Sequence, residues 1–326
     1  MRTELPFRLD LVEFLADHRL QFLTPLLQLF TFLGELEGYI LIIVLLYAAY
    51  DKKLAIRLAV LTLVTMSVNH ALKTMIRNPR PFIGDGSYKQ RWAVSAERAA
   101  DLATEYSTPS GHAMAGASFY TYLYGVTANR YARAAFVACI LLTGFSRPYL
   151  GVHYGEDVLI GWVLGLALAL LAVRYGASLE RRWSRVAYAT QVASLVATSL
   201  GIWLVTRAVS DWSTTDPPSA FVSYAGLLTG ILAGQPLEAS MVNFDPKAGG
   251  PSSKLLRYVL CVAVVLGTLE ILGRLFAMIA VSSSPLGHLL RYLRYSAAGF
   301  IGIFVAPLLF VRLRLVSNPA YPRAPS

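Results

Sequence analysis

A succession of long apolar segments constrains this chain more than any other feature. Nine predominantly apolar runs are separated by shorter polar stretches, and they lie at 36–50, 54–76, 110–128, 132–149, 154–174, 186–208, 219–236, 255–280 and 293–314. The hydrocarbon core of a bilayer is about 30 Å thick, so a helix needs roughly 20 apolar residues to cross it. A helix also pairs its own backbone groups, which lipid cannot do. The pattern predicts an all-α, polytopic transmembrane bundle of about nine spans.

The composition excludes an ordinary water-soluble protein. Hydrophobic residues make up 56% of the 326 residues and charged residues 15%, with a mean hydropathy of +0.52. Soluble domains are nearer a quarter charged. The formal net charge of +10 comes from Lys and Arg dispersed among short loops, not from one basic stripe. We therefore expect no nucleic-acid partner, and expect the bilayer's anionic headgroups and phosphate to be the counterions.

Three polar clusters interrupt the apolar pattern. Each lies where a predicted span begins or ends, and ionisable groups in such places are candidates for function. With alternating spans, all three fall on the same face of the membrane. The clusters are Lys73-x6-Arg80-Pro81, Pro109-Ser110-Gly111-His112 and Ser146-Arg147-x5-His153-x3-Asp157.

Five residues of these clusters have the chemistry of a phosphate site. Lys73 offers a point charge, and Arg80 and Arg147 offer guanidinium forks that match phosphate oxygens. Ser110 and Gly111 open a predicted helix, where free N–H groups and the helix dipole favour an anion. For any one residue, an interfacial structural role is about as plausible. The three clusters together favour a phosphate site.

The remaining three residues can do the chemistry. His153 and Asp157 are four apart, which on a helix places them on one face. The carboxylate can then hold one ring nitrogen protonated and leave the other free to attack phosphorus. His112 is left to protonate the departing oxygen. The predicted catalytic residues are His153, His112 and Asp157.

The three motifs resemble the signature motifs of the type 2 phosphatidic acid phosphatase (PAP2) superfamily, and every position matches. The resemblance implies that Lys73, Arg80, Ser110, Gly111 and Arg147 bind phosphate. It also implies that His153 is the nucleophile, Asp157 its partner and His112 the acid. Hydrolysis through a phosphohistidine, with no metal and no cofactor, is implied as well.

The resemblance divides the chain into three parts. Residues 1–35 mix apolar and charged positions and are predicted to form an amphipathic interfacial segment. Residues 36–175 are the expected PAP2-like catalytic transmembrane core. Residues 176–326 form an additional C-terminal transmembrane region whose role is left open. The polar stretches 82–106 and 237–254 are predicted to be loops.

The sequence is compatible with several substrates and with two branches of the superfamily. The leading hypothesis is a lipid phosphate or lipid diphosphate, with isoprenoid, phosphatidate-like and sphingoid candidates. The amphipathic start and the string PSGHAM also resemble the glucose-6-phosphatase branch, whereas the intact Asp157 is similar to the lipid phosphatases. The alternatives are a small soluble phosphoester such as a hexose phosphate, and a non-catalytic binder or transporter of anionic lipids.

The distribution of charge predicts an orientation. Of the 29 Lys and Arg residues, 15 fall on loops of one side, which the positive-inside tendency makes cytoplasmic, although the opposite side is not poor in Arg. The three motifs fall on the other side. We expect an integral protein of a bacterial cytoplasmic membrane with its active site on the extracytoplasmic face; the oligomeric state is not predicted.

One charged pair lies in the C-terminal region, inside an apolar run. Glu270 and Arg274 are four apart there, and we expect them to neutralise each other.

Overall fold

The computed structural model describes residues 5–209 and 219–316. Within these ranges every regular element is a helix, so the all-α prediction is confirmed. The α-helices are numbered in chain order: α1 (Asp10–Asp17), α2 (Leu23–Leu33), α3 (Leu36–Ala49), α4 (Lys52–Ile76), α5 (Tyr88–Arg91), α6 (Ala96–Ala103), α7 (Gly111–Val126), α8 (Arg130–Tyr149), α9 (Gly155–Trp183), α10 (Tyr188–Val209), α11 (Ser219–Leu237), α12 (Pro251–Ala277), α13 (Pro285–Phe300) and α14 (Ala306–Arg312). The π-helical turn Glu238–Val242 continues α11, and the π-helical turn Ile301–Val305 joins α13 to α14.

The number of helices able to cross a membrane is smaller than nine. In the described ranges, six helices are long and apolar enough: Lys52–Ile76, Gly155–Trp183, Tyr188–Ala208, Ala220–Val242, Pro251–Ala277 and Pro285–Arg312. The pair Leu23–Leu33 and Leu36–Ala49, bent by 60°, makes seven if it is one broken span. Each of the nine predicted runs is helical, but α7, with 16 residues, is short for a crossing and α8 carries several charges. The transmembrane bundle is confirmed, and the count of nine is not.

The N-terminal segment is divided where a single amphipathic stretch was expected. Helix α1 ends at Asp17, and in the turn before α2 Arg19 donates to two distant carbonyls, those of Arg91 (2.9 Å) and Tyr149 (3.1 Å). Helix α2 ends at Leu33, is followed by Gly34 as its cap, and belongs with α3 in the bent pair. These contacts are tertiary, so the local pattern could not predict the turn.

The stretch 82–106, predicted to be a loop, contains α5 and α6. Ser95 caps α6 by accepting a hydrogen bond from the backbone of Arg98 (3.2 Å). Ala99 and Leu102 lie on the buried face of this helix and pack with Trp92. The segment is therefore folded into a hydrophobic core, which also includes residues of α1, α2 and the end of α8.

The described residues form two compact units. The first comprises 5–39, 64–177 and 206–209, and contains all three motifs. In it α9 lies very close to α7, because Gly161 and Gly165 bring the two backbones together. A Cβ atom at Gly161 would lie 2.8 Å from the carbonyl oxygen of Ser110. Two small residues four apart are a common device for close helix contact in membranes.

The second unit comprises 40–63, 178–205 and 219–316. Two buried polar contacts lie within it: Lys52 Nζ contacts Glu238 Oε1 at 2.9 Å, and Tyr47 donates to the carbonyl of Ile303 at 2.6 Å. The expected Glu270–Arg274 pair is confirmed at 2.6 Å. The division into 1–35, 36–175 and 176–326 stays a prediction, and 176–326 lies partly outside the described residues.

Candidate active site

The structure brings the ends of four helices in the first unit together around one polar site. Lys73 lies in the last turn of α4, Ser110 caps α7, Arg147 lies in the last turn of α8 and Asp157 lies in the first turn of α9. Arg80 and His153 come from the segments between helices, and both are buried. All eight predicted site residues thus lie in one unit, at neighbouring helix ends.

His153 and Asp157 form a buried pair, with 3.2 Å between Nδ1 and Oδ2. Their side chains are 1% and 0% exposed. His153 precedes α9, which begins at Gly155, so the expectation of one shared helical face was wrong. Instead, the carboxylate of Asp157 reaches back over the first turn and accepts the backbone N–H of Tyr154 at 2.9 Å. The helix start, not helical periodicity, brings the pair together.

Two hydroxyls hold the Asp157 carboxylate in place. Thr108 Oγ1 donates to Oδ1 at 2.5 Å, and Ser107 Oγ donates to Oδ2. With these donors and the amide of Tyr154, the carboxylate is fixed as an acceptor, so Nδ1 of His153 carries the proton that faces it. Sequence reasoning missed Ser107 and Thr108. They directly precede Pro109 in the second motif, and that adjacency is the signal that could have found them.

The other ring nitrogen of His153 faces a cation. Nε2 lies 2.9 Å from Nη1 of Arg80, which also donates to the carbonyl of Val152 at 3.0 Å. Burial lowers the pKa of His153 well below its usual 6.5, and the neighbouring Arg80 and Arg147 lower it further. The imidazole is therefore neutral near pH 7, and its Nε2 lone pair is directed at the basic cluster.

The three predicted phosphate-binding cations differ in what they contact. Lys73 Nζ and Arg80 Nη2 both approach Glu105 Oε2, at 3.4 and 2.6 Å. Arg147 is 2% exposed, and the single hydrogen bond of its guanidinium to the described residues is a long one, 3.4 Å to Thr31 Oγ1. Within the same ranges, the buried Nε atoms of Arg80 and Arg147 have no hydrogen-bond partner. Buried guanidinium groups with unused donors favour an anion.

Glu105 was not predicted from the sequence, because no motif or spacing marks it. Burial by itself would raise its pKa, but Lys73 and Arg80 outweigh that effect and hold the pKa at about 2. Burial lowers the pKa of Arg80, and the negative charge of Glu105 offsets part of that lowering. Glu105 is thus an ionised carboxylate between two cations, a position suited to a phosphate oxygen.

Ser110 and Gly111 form the start of α7. The backbone N–H of Ala113 points at Ser110 Oγ over 3.5 Å, and the Ser110 amide donates to the carbonyl of Asp157 at 3.0 Å. A Cβ atom at Gly111 would lie 3.0 Å from Asn69 Oδ1, so this position is tightly enclosed. Asn69 in turn donates to the carbonyl of Pro109 at 3.0 Å and ties α4 to the motif.

His112 faces a carboxylate of its own. Its Nε2 lies 3.6 Å from Oε1 of Glu35, the residue between α2 and α3, and the same oxygen lies 3.1 Å from Nη2 of Arg98. Glu35 was not predicted as a site residue, because it is 77 positions from His112 and lies in no motif. Within the described ranges, no group of three or more His, Cys, Asp and Glu residues is arranged to hold a metal ion.

Family models match two stretches of the chain. Residues 54–181, which include all eight predicted site residues, match the model described as PAP2 superfamily. Residues 222–318 match the model described as PAP2 superfamily phosphatase, transmembrane extension. This chain belongs to the PAP2 superfamily. The chain is accordingly a membrane phosphatase that hydrolyses phosphate monoesters.

Named proteins are similar to this PAP2 chain over different lengths. Sphingosine-1-phosphate phosphatase 1 of Mus musculus is 26% identical over 320 residues, which span 88% of this chain and 72% of that protein. Glucose-6-phosphatase 3 of Bos taurus is 29% identical over 190 residues, or 53% of this chain and 54% of that protein. A crystal structure of Aquifex aeolicus LpxE, 22% identical, covers 54% of this chain and 100% of its own, with a TM-score of 0.42.

Proposed function

We propose that this PAP2 protein hydrolyses a lipid phosphate or lipid diphosphate through a phosphohistidine on His153. The observation that carries the proposal is the buried His153–Asp157 pair, whose Nε2 lies 2.9 Å from Arg80. A neutral imidazole whose Nδ1 is hydrogen-bonded to a carboxylate can attack phosphorus through Nε2. The adjoining buried cations supply the charge that a phosphoryl group requires.

The phosphate-binding roles follow from the contacts. Lys73 and Arg80, which contact Glu105, hold two phosphate oxygens after this carboxylate moves aside. Arg147 supplies N–H donors that its protein neighbours leave unused. Ser110 and the amide of Gly111 contribute the start of α7. Each donor acts best on the charge that builds up in the transition state.

The reaction then has two steps. Nε2 of His153 forms a bond to phosphorus while the bond to the leaving oxygen breaks, and His112 gives that oxygen a proton. In the second step a water molecule attacks the phosphohistidine and passes a proton to His112. The bond from phosphorus to His153 breaks and inorganic phosphate leaves. Asp157 stabilises the charged imidazole formed in the first step.

The substrate class rests on the membrane and on the relatives. A lipid phosphate is supported by the relative named sphingosine-1-phosphate phosphatase 1, which matches most of the chain. A hexose phosphate is the second candidate, supported by glucose-6-phosphatase 3 over about half of it. A binder or transporter of anionic lipids would need the cations, but would have no use for the His153–Asp157 pair.

Phosphate release by the purified protein tests the proposal directly. Sphingoid, phosphatidate-like and isoprenoid phosphates and glucose 6-phosphate would be presented in the same detergent, with His153→Ala as the blank. Faster release from a lipid phosphate, abolished in His153→Ala, is the expected result. Preference for glucose 6-phosphate would favour the second candidate. Binding of lipid phosphate without any release would favour the transporter.

We also propose that the protein lies in a bacterial cytoplasmic membrane with the site on the extracytoplasmic face. Single cysteines at Ser87 and Ser184 test this in sealed cells with a membrane-impermeant thiol reagent. Helices α7, α8 and α9 lie between them, and an odd number of crossings puts Ser87 outside and Ser184 inside. The unsubstituted protein gives the background from Cys139 and Cys261. Equal labelling of both would contradict the orientation.

A further inference from the structure

A second carboxylate–histidine pair lies beside the first. Oε1 of Glu35 is 3.6 Å from Nε2 of His112, with side chains 26% and 15% exposed. In the described ranges, the buried Nε2 of His112 has no closer hydrogen-bond partner than this carboxylate. Nε2 is therefore the ring nitrogen directed at Glu35, and Nδ1 is the second nitrogen of the ring.

The bend between α2 and α3 holds Glu35 in this position. The N–H of Gly34 donates to the carbonyl of Thr31 at 2.9 Å, and the N–H of Glu35 donates to that of Phe32 at 3.0 Å. Gly34 permits the close approach, because a Cβ atom there would lie 2.6 Å from Thr143 Cγ2 and 3.4 Å from His112 Cδ2. Any larger residue would push the bend, and Glu35 with it, away from His112.

The charges around His112 give Glu35 a clear task. Burial lowers the pKa of His112, Arg147 from α8 and Arg98 from α6 lower it further, and Glu35 opposes them, which together leave the pKa at about 3. Glu35 is the carboxylate that faces the ring, and Arg98 fixes that carboxylate from the other side at 3.1 Å. An acid that must donate a proton next to two guanidinium groups needs such a partner.

We propose that Glu35 is a positioning residue for His112: it binds Nε2–H of the imidazolium and leaves Nδ1–H directed at the leaving oxygen. This inference rests on the proposed function. In the first step the Nδ1 proton goes to the leaving oxygen as the phosphorus–oxygen bond breaks, so His112 becomes neutral. In the second step the attacking water gives its proton to Nδ1, and the imidazolium beside Glu35 is restored.

The test compares Glu35→Gln with Glu37→Gln. Glu37 lies two residues further on, is exposed and makes no ion pair with a described residue, so it receives the same chemical change without the contact. Glu35→Gln should lower kcat on an alkyl phosphate roughly 10- to 100-fold, with less than about threefold loss on nitrophenyl phosphate, which needs little protonation. KM should be nearly unchanged. Glu37→Gln should behave as the parent protein.

The pH profile separates this role from a structural one. Loss of Glu35 removes the charge that favours the imidazolium, so the alkaline limb of kcat on the alkyl phosphate should move down by roughly one pH unit. Glu35→Asp, which keeps the charge, should recover part of both effects. Arg98→Gln should not reproduce the leaving-group dependence, because it breaks only the outer contact. The double variant with His112→Ala should lose no more than His112→Ala alone.

Three results would overturn the role of Glu35: equal losses on the two leaving groups, an unmoved alkaline limb, or losses additive with His112→Ala. Retained leaving-group dependence in His112→Ala, with Glu35→Gln like the parent, would remove Glu35 and leave the proposed function intact. Full activity in His153→Ala would remove the proposed function itself. If Glu35→Gln lowers the melting temperature, Glu35→Asp at matched folding carries the test.

Discussion

Two buried arginines, one in each unit, have opposite surroundings. Arg257 in the second unit is 0% exposed and donates to the carbonyls of Asp245, Pro246 and Ala248 at 3.2, 3.1 and 2.7 Å. Arg147 in the first unit is 2% exposed, and its guanidinium makes one hydrogen bond of 3.4 Å to the described residues. Both guanidinium groups have left water, but the protein satisfies the first far better than the second.

The contrast extends to the lysines. Lys52 in the second unit contacts Glu238 at 2.9 Å and Asn243 at 3.0 Å, and Glu238 is 2% exposed. Lys73 in the first unit contacts the more exposed Glu105 at 3.4 Å. A buried charge with weak protein partners costs stability. In these two comparisons, protein groups satisfy the charges of the second unit better than those of the first, and that difference can be tested.

Substitution of the buried histidines of the two units should show the greatest difference in activity. His153→Ala should lower turnover by about 10⁴-fold or more and abolish acid-quenched trapping of labelled phosphate, because no other group is placed to attack. Asp157→Asn should be slow with every leaving group. His288→Ala, at a 2% exposed histidine of the second unit, should retain trapping. Trapped phosphate in His153→Ala would contradict the mechanism.

Leaving groups sharpen the assignment within the first unit. His112→Ala should lose about 10²- to 10³-fold on an alkyl phosphate, since the departing alkoxide needs a proton. On nitrophenyl phosphate it should still form the phosphoenzyme at close to the parent rate. Steady-state rates and trapping on both substrates measure this. Equal losses on the two would exclude His112 as the acid.

Substitutions of the two arginines should affect activity and stability in opposite ways. Arg147→Gln should lower kcat/KM about 100-fold through lost transition-state stabilisation, while the melting temperature holds or rises. Arg257→Gln should do the reverse, with the free energy of unfolding lowered by about 2–4 kcal/mol and kcat/KM per folded protein unchanged. Kinetics and thermal unfolding in one detergent compare them. Matching losses of activity would break the distinction.

The smallest effect concerns the two glutamates. Glu105→Gln should tighten inhibition by inorganic phosphate by about fivefold, because a carboxylate no longer competes for Lys73 and Arg80. Glu238→Gln should leave inhibition unchanged and lower stability, since Lys52 loses its buried partner. Inhibition constants of phosphate for the two variants test this prediction. Weaker inhibition of Glu105→Gln would show that this carboxylate organises the site instead.

Acid stability gives a second reading of Glu105. Its folded pKa of about 2 lies below the ordinary carboxyl value of 4.5, so its stabilising effect is present above pH 4.5 and is lost as the pH falls toward 2. Glu105→Gln should flatten the loss of stability in that window. Unfolding curves between pH 5 and pH 2 would measure the difference, and parallel curves would contradict the paired state of Glu105.

Features that depend on neighbouring positions along the chain could be predicted from the sequence. Apolar length predicted the helices, and four-residue spacing predicted the Glu270–Arg274 pair, because both depend on positions within one helix. The three motifs marked the helix ends at which Lys73, Ser110 and Arg147 lie. Spacing also paired His153 with Asp157, although through a helix start and not through a helix face.

The groups that surround those motifs come from distant parts of the chain, and the sequence did not predict them. Glu35 and Glu105 reach His112 and Arg80 through the bend after α2 and the packing of the 82–106 segment. A carboxylate in an irregular segment has no periodicity, so nothing in the sequence predicts its partner. The sequence does not predict the different hydrogen bonding of Arg147 and Arg257 for the same reason. How deeply a guanidinium is buried, and how many hydrogen bonds it makes, depends on atoms from distant parts of the chain that are brought together by packing.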